Sequence, residues 1–179
     1  DRFYLYQQRW RPDLKVAHLL PHWNWPQRVG EVTPVHLYTN GDEAELFLNG
    51  RSLGRIVKGD ELQSQRSRHR IHWDEVVYEP GELKAVVYKD GKPWAEAVRK
   101  TSGPAAALAL QADRTTIKAD GRDLVFLTAT VVDEAGATVP SADHALSFRV
   151  TGAGKLVATG NGDPTDHTVF ASARRPAFN

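Results

Sequence analysis

Short runs of β-branched and aromatic residues, separated by turn dipeptides, fill most of the first hundred residues. Residues 35–39 and 44–48 are strand candidates, and Asn49-Gly50 after them is typical of a tight β-hairpin turn. Further strand candidates are residues 51–57, 70–73, 83–88 and 94–100, with a turn at Asp90-Gly91. About seven short strands at this spacing predict a β-sandwich of the immunoglobulin type over residues 16–103.

The aromatic residues indicate where a second domain begins. All five Trp and all five Tyr residues lie at or before position 94, and the residues beyond are richer in Ala and small turn formers. The change falls at Thr101-Ser102-Gly103-Pro104, a segment typical of a linker. We therefore place a domain boundary near residue 103, with a second domain over residues 104–179.

The second domain repeats the β pattern with weaker signals. Its clearest strand candidates are residues 108–110, 115–118, 124–132, 145–150 and 155–158. Six strands fit in this domain, whereas an immunoglobulin-like sandwich has seven. We therefore expect a second, truncated sandwich that lacks its last strand and leaves an open edge and an uncovered core.

Residues 1–15 differ from the rest of the chain. Phe3, Tyr6 and Trp10 follow a spacing that places them on one face of a helix, and Pro12 ends it. This aromatic face either folds back on the first sandwich or belongs to the last helix of an upstream domain. The chain has no Met and no leader pattern at Asp1, so we expect either processing or excision from a longer protein, and favour excision.

The composition excludes several classes of protein. Because Cys is absent, the chain has no disulfide framework, no Cys-ligated zinc, no iron–sulfur cluster and no thiol nucleophile. The 23 basic and 22 acidic residues give a net charge of +1, which argues against nucleic acid or an anionic membrane as partner. No apolar run reaches the ~18 residues of a membrane span.

The acidic pairs do not predict a catalytic site. A glycosidase needs two carboxyl groups in one pocket at a set separation. Asp42-Glu43 and Asp74-Glu75 lie at strand edges or turns, where neighbouring side chains point to opposite faces and cannot both line one pocket. We expect them to be solvated acids of turns and assign no catalytic residue.

The histidines do not predict a metal site. His18 and His22 are four residues apart, but Pro21 breaks the helix that would align them. His69 and His72 are three apart on a strand and face opposite ways. We therefore expect no metal and no cofactor.

Two further segments allow a functional and a plainer interpretation. Residues 66–70 place three Arg on one strand face, which suits an anionic partner but is more often a solvated face. Residues 161–166 carry oxygen ligands that suit calcium, but they also suit a tight turn. We favour the plainer interpretation for both.

The loop at residues 19–26 is the best candidate for a binding site. Trp23 and Trp25 bracket Asn24, with His22 beside them and a Pro at each end. Indole faces stack on the C–H faces of sugars, while His and Asn can hydrogen-bond hydroxyl groups. Trp23, Trp25, His22 and Asn24 are therefore candidate substrate-binding residues, with packing in a core or interface as the alternative for both Trp.

Long motifs resemble glycoside hydrolase family 2. Residues 3–10 (FYLYQQRW) and 18–25 (HLLPHWNW) are similar to the junction that follows the catalytic barrel in β-galactosidase-like members from Bacteroidetes and related Gram-negative bacteria. The similarity continues through residues 30–35, 42–50, 78–83, 112–121 and 161–165. The second domain also resembles invasin-type immunoglobulin-like repeats.

The resemblance implies a retaining enzyme whose two catalytic glutamates, about 5 Å apart, lie in a (β/α)₈ barrel absent from this chain. Residues 1–15 would be the tail of that barrel, and residues 16–103 and 104–179 two tandem immunoglobulin-like sandwiches in an all-β region. The partners would be the enzyme's own barrel and, through it, a β-galactoside or oligosaccharide. Export to the periplasm or the medium is expected, since Gram-negative relatives are often periplasmic.

Two classes of function follow. The chain is either the non-catalytic C-terminal region of a β-galactosidase-like hydrolase, buttressing the barrel and adding a Trp to the active-site rim, or a carbohydrate-binding or adhesin-type module. The resemblance favours the first. Exposed Trp23 and Trp25 would favour the second.

We predict that the 179-residue chain alone does not hydrolyse an aryl-β-galactoside, because the catalytic carboxyl groups lie elsewhere. A chromogenic assay with the purified chain checks this. Turnover that a point mutation within these residues abolishes would contradict the prediction.

Overall fold

The computed structural model describes residues 2–59 and 69–178, and the chain divides into two compact units, Asp1–Thr101 and Ser102–Asn179. Apart from one short helix and a single 3₁₀ turn, the regular structure of the described part consists of strands in antiparallel sheets. The predicted all-β fold class is thus confirmed. The predicted limits of the barrel tail and the two sandwich domains stay predictions.

The first unit contains one helix and, within the described residues, seven strands, six of which lie at the strand candidates of the sequence. The helix, α1, spans Arg2–Trp10. The strands are β1 (Ala17–Leu20), β2 (Val35–Thr39), β3 (Glu43–Leu48), β4 (Arg51–Val57), β5 (Ile71–Trp73), β6 (Glu82–Lys89) and β7 (Lys92–Lys100). They form a three-stranded sheet in the order β1-β2-β5 and a four-stranded sheet in the order β4-β3-β6-β7.

The two sheets of the first unit share one apolar core. Buried and partly exposed residues alternate along β2, β3 and β6, as expected for strands with one face toward a core. Leu37 of the first sheet and Leu46 and Leu83 of the second are fully buried in the same cluster. Burial of these alternating side chains fixes the register of the strands, because a slip by one residue would expose them.

Tight turns at the predicted dipeptides connect the long hairpins. Asn49 and Gly50, between β3 and β4, both have positive φ angles (51° and 80°), and Asp90 and Gly91 repeat this between β6 and β7 (51° and 71°). Left-handed backbone at both central residues is the geometry that Asn-Gly and Asp-Gly favour. The two turn predictions are confirmed.

Helix α1 lies on the outer face of the sheet β1-β2-β5. The Tyr4 ring stacks on His18 at 3.6 Å between centroids, and the buried Gln8 side chain donates a hydrogen bond to the carbonyl of His69 (2.6 Å). Phe3, Tyr6 and Trp10 point away and are 65%, 49% and 71% exposed. The predicted helix is confirmed, and its predicted aromatic stripe is the face that does not pack.

The second unit has less regular structure than its sequence predicts. Strand β8 (Ala107–Ala112) pairs with β9 (Leu127–Val132), and β10 (Ala145–Ser147) pairs with β11 (Arg174–Pro176). The strands predicted at residues 115–118 and 155–158 are wrong. In the first of these, the Lys118 N–H donates to the Asp123 carboxylate, so an acidic side chain takes the place of a strand partner.

One face of the β8–β9 ribbon is only partly covered. Val131 is buried in a small core with Val139 and Ala142. Leu108 pairs with Val131 across the two strands, and Leu110 follows it on the same face. These two side chains are 60% and 65% exposed. The apolar face therefore extends well beyond the core that covers it.

We predict that Gly81→Ala destabilises the first unit by about 3 kcal/mol, and Gly50→Ala by about 1 kcal/mol. Both positions have positive φ angles, but only at Gly81 would a Cβ atom collide, at 1.9 Å from Asn49 Oδ1. That oxygen accepts the Glu82 N–H, and the Asn49 amide donates to Pro80 O. Urea unfolding followed by Trp fluorescence measures both; equal losses would show that the Asn49 bridge is unimportant.

Candidate functional site

Trp23 lies in the core of the first unit. Its side chain is 1% exposed, its indole N–H donates to the carbonyl of Glu79 (2.9 Å), and its ring packs on Tyr78 with centroids 4.9 Å apart. A sugar ring needs an accessible indole face, and Trp23 offers none. The structure therefore places this candidate among the core residues, which corrects its assignment as a sugar-stacking platform.

Trp25 and His22 form a half-buried stacked pair. Their ring centroids are 4.1 Å apart at an interplanar angle of 22°, and the Trp25 indole N–H donates to the backbone carbonyl of His22 (2.9 Å). The Arg28 guanidinium lies 6.0 Å from the centre of the Trp25 ring, within reach of a cation–π contact. Burial lowers the pKa of His22, which favours its neutral form. Asn24 is half-buried beside them.

Tyr78 and Thr101 hold this loop in place. The Trp25 backbone N–H donates to the Tyr78 hydroxyl (3.1 Å), and the Thr101 hydroxyl donates to the carbonyl of Trp23 (2.7 Å). Because Thr101 has used its one hydroxyl proton, the 3.2 Å contact between the two hydroxyls has Tyr78 as donor. Sequence analysis missed both residues, since neither Tyr78 nor Thr101 carries a signal for a loop more than 50 residues away.

A groove of about 990 Å³ opens beside β4 and β5, and Asp74 and Glu75 both line it. The expectation that these neighbouring acids cannot line one pocket is wrong, because β5 ends at Trp73 and the alternation of strand side chains stops there. Asp74 contacts His72 Nδ1 through both carboxylate oxygens, each at 3.1 Å.

The other acidic pair lies where β3 begins, with Asp42 in the preceding bend and Glu43 as the first residue of the strand. Asp42 accepts the backbone N–H of Asp90 (2.8 Å), and Glu43 forms an ion pair with Arg55. Of the basic stretch at residues 66–70, residues 66–68 lie outside the described part, so the prediction that its three Arg share a face stays untested.

Side-chain oxygens of residues 161–166 accept hydrogen bonds from groups of the same unit. Asp163 accepts the N–H and hydroxyl of Thr165, and Asp166 accepts the N–H of Thr168 and the guanidinium of the buried Arg175 (2.7 Å). The hydrogen bonds from Thr168, followed by those from Arg175, lower the pKa of Asp166 to about 2. This geometry is a tight turn secured by an ion pair, as the plainer interpretation predicts.

Metal-ligand clusters and helices able to cross a bilayer are both absent from the part of the chain that the structure describes. Residues 2–59 and 69–178 contain no group of three or more His, Asp or Glu side chains arranged to hold a metal ion. No helix in the same ranges has the length and apolar character to cross a bilayer.

Family models match both units. Residues 108–179 match the model described as glycoside hydrolase family 2 C-terminal domain 5. Residues 30–95 match a model, DUF4982, that is described only as a domain of unknown function.

Individual proteins match nearly the whole chain. The β-galactosidase BoGH2A of Bacteroides ovatus is 39% identical over 99% of this chain and 20% of its own length, and a putative β-glucuronidase of Formosa agariphila is 35% identical over 94% of this chain and 16% of its own length. The crystal structure of a β-glycosidase from Bacteroides vulgatus superposes with a TM-score of 0.89 at 32% identity, over 99% of this chain and 22% of that one. The chain spans a fifth or less of the curated relatives it matches.

We predict that His18 titrates near pH 4 and that Tyr4→Ala moves its pKa toward 6.5. Burial and, to a smaller extent, Arg99 lower this pKa from 6.5 to about 4, and the Tyr4 ring supplies part of the burial. The folded pKa lies below the unfolded value, so the unfolded state binds a proton more readily between pH 6.5 and 4. The contribution of His18 to the free energy of unfolding is therefore constant above pH 6.5 and decreases as the pH falls toward 4.

NMR titration of the imidazole protons measures the pKa in both proteins. Tyr6→Ala is the matched control, because Tyr6 stacks on Trp10 at the exposed face of the same helix. An equal shift in both variants, or none in Tyr4→Ala, would contradict the role of the Tyr4 stack.

Proposed function

The chain belongs to glycoside hydrolase family 2 and corresponds to a C-terminal region of its members, and from this premise we propose a finer role. It is the non-catalytic C-terminal part of a retaining, β-galactosidase-like enzyme. The observation that carries the proposal is the 39% identity to the Bacteroides ovatus β-galactosidase over 99% of the chain. The putative β-glucuronidase of Formosa agariphila is nearly as similar, at 35% identity, so we propose a β-galactoside as the substrate on the 39% match and keep a β-glucuronide as the alternative.

The acidic residues of the first unit support an accessory role. Glu43 pairs with Arg55, Glu79 with Arg51 and Asp74 with His72. A retaining glycosidase instead needs one carboxylate free to attack the sugar and a second, protonated carboxyl group about 5 Å away. We assign both groups to the catalytic barrel of the longer enzyme, and none to this chain.

The two faces of α1 support a buttressing role. One face packs on the β1-β2-β5 sheet through Tyr4 and Gln8, and the opposite face exposes Phe3, Tyr6 and Trp10. Exposed aromatic groups of this size on adjacent helix turns mark a surface that packs against another body. We propose that this body is the catalytic barrel of the same enzyme, with α1 as the element shared between the barrel and the first sandwich.

The His22–Trp25 pair is our proposed contribution to the active-site rim. Trp25 is half-buried, and the Tyr78 hydrogen bond fixes its backbone, so its ring is held in one position. With Trp23 buried, a sugar contact from this loop depends on Trp25, with His22 and Asn24 beside it. The alternative, a free-standing carbohydrate-binding or adhesin module, loses one of its two aromatic platforms.

We predict that two variants of the full-length enzyme, one triple and one single, separate these roles. Replacing Phe3, Tyr6 and Trp10 by Ala removes apolar contact with the barrel, so the melting temperature should fall by more than about 5 °C with KM nearly unchanged. Trp25→Ala removes a substrate contact and should raise KM severalfold.

Differential scanning calorimetry and initial rates with an aryl-β-galactoside measure both effects. Val57→Ala is the control, because Val57 is 59% exposed on the same unit at the end of β4. A triple variant no less stable than this control would overturn the buttressing role, and an unchanged KM in Trp25→Ala would overturn the rim role.

A further inference from the structure

Two lysines share one half-buried indole in the first unit. Lys15 Nζ lies 5.2 Å and Lys89 Nζ 4.8 Å from the centre of the Trp94 ring. Both distances are in the range of cation–π contacts, which hold an ammonium group in place without neutralising its charge. Two positive charges that are far apart in the sequence are thus held beside the same ring.

Hydrogen bonds fix the position of Trp94. Its indole N–H donates to Asn40 Oδ1 (2.9 Å), and that oxygen also accepts the backbone N–H of Val16 (3.1 Å). The Asn40 amide group donates to the carbonyl of Leu14 (2.6 Å). Because Asn40 links the segment before β1 to the indole, Lys15 and Trp94 are held together.

A third lysine, Lys58, lies close enough to Lys89 to feel its positive charge. Lys58 is partly buried, and its ammonium group donates to the carbonyl of Thr39 (2.6 Å). Burial lowers the pKa of Lys58, and the positive charges of Lys89 and Arg9 lower it further, while Asp42 opposes the shift. Among the described residues that act on Lys58, one carboxylate, Asp42, is therefore set against two cations.

Other lysines of the same unit have their own counter-charges. Lys84 pairs with Glu96 (2.8 Å) and Lys100 with Glu82 (3.1 Å). The three lysines Lys15, Lys58 and Lys89 are here called the Trp94 cation cluster. Within residues 2–59 and 69–178, none of them forms an ion pair within 4.0 Å. The net charge of the whole chain is only +1, so it gives no sign of this local excess of positive charge.

We propose that the Trp94 cation cluster binds the carboxylate or sulfate groups of an acidic carbohydrate. An oxyanion placed among Lys15, Lys58 and Lys89 would supply the counter-charge that no ion pair among the described residues provides, and would relieve the repulsion around Lys58. The choice of a carbohydrate over other polyanions rests on the proposed function, whereas anion binding itself rests only on the cluster.

Titration of the 179-residue chain with size-matched dextran sulfate, oligogalacturonate and neutral dextran tests the proposal. We expect saturable binding of both acidic glycans, none of neutral dextran, and affinity that falls as salt is raised from 50 to 300 mM. In an NMR titration, saturating oligogalacturonate should raise the pKa of the Lys58 ammonium group.

Lys58→Gln combined with Lys89→Gln should weaken binding about tenfold. Gln at position 58 keeps an N–H donor for Thr39 O. The control is Lys84→Gln combined with Lys100→Gln, which removes the same charge from paired lysines and should change affinity less than twofold. Lys15→Gln alone, at an exposed position, repeats the test without touching Lys58.

The proposal is overturned if neither acidic glycan binds, if neutral dextran binds equally well, or if the two double variants lose affinity equally. A single-stranded oligonucleotide serves as a non-carbohydrate polyanion. If it binds as tightly as the acidic glycans, the carbohydrate assignment is wrong. These assays need no catalytic activity, so failure of the accessory-domain proposal in the full-length enzyme would be seen separately.

Discussion

The buried phenol of Tyr78 connects three segments that lie far apart in the chain. Trp23 packs on its ring, the Trp25 backbone donates to its hydroxyl, and its proton goes to Thr101, which in turn donates to Trp23. Each polar group of this network has a partner, so burial costs it little. The position of the Trp-rich loop, and with it the stacked pair of Trp25 and His22, depends on this closed set of bonds.

The strands of the first unit were predictable because local and long-range forces agree there. The structure has β2 at Val35–Thr39 and β4 at Arg51–Val57, as the sequence predicts, and the Asn49-Gly50 turn joins β3 to β4. Alternating apolar residues, turn chemistry and burial all favour the same register. Strand β1 was not predicted, because its four residues are followed at once by Pro21 and by the aromatic loop.

The features that sequence analysis could not assign depend on contacts between distant residues. A Trp in a loop has the same local sequence pattern whether it stacks on a sugar or fills a core. For Trp23, the contact with the distant Tyr78 ring shows that it fills the core. Likewise, a net charge of +1 gives no sign that Lys15, Lys58 and Lys89 converge near Trp94. In the second unit, acidic side chains satisfy backbone N–H groups at residues where the pattern predicts strands.

The two units differ in how much apolar surface they withdraw from water. Fifteen described residues form the core of the first unit, whereas three form that of the second, where the Leu108 and Leu110 side chains already contact solvent. The heat capacity change of unfolding follows newly exposed apolar area. Unfolding of the second unit therefore carries a small heat capacity increment, and its stability varies less steeply with temperature than that of the first.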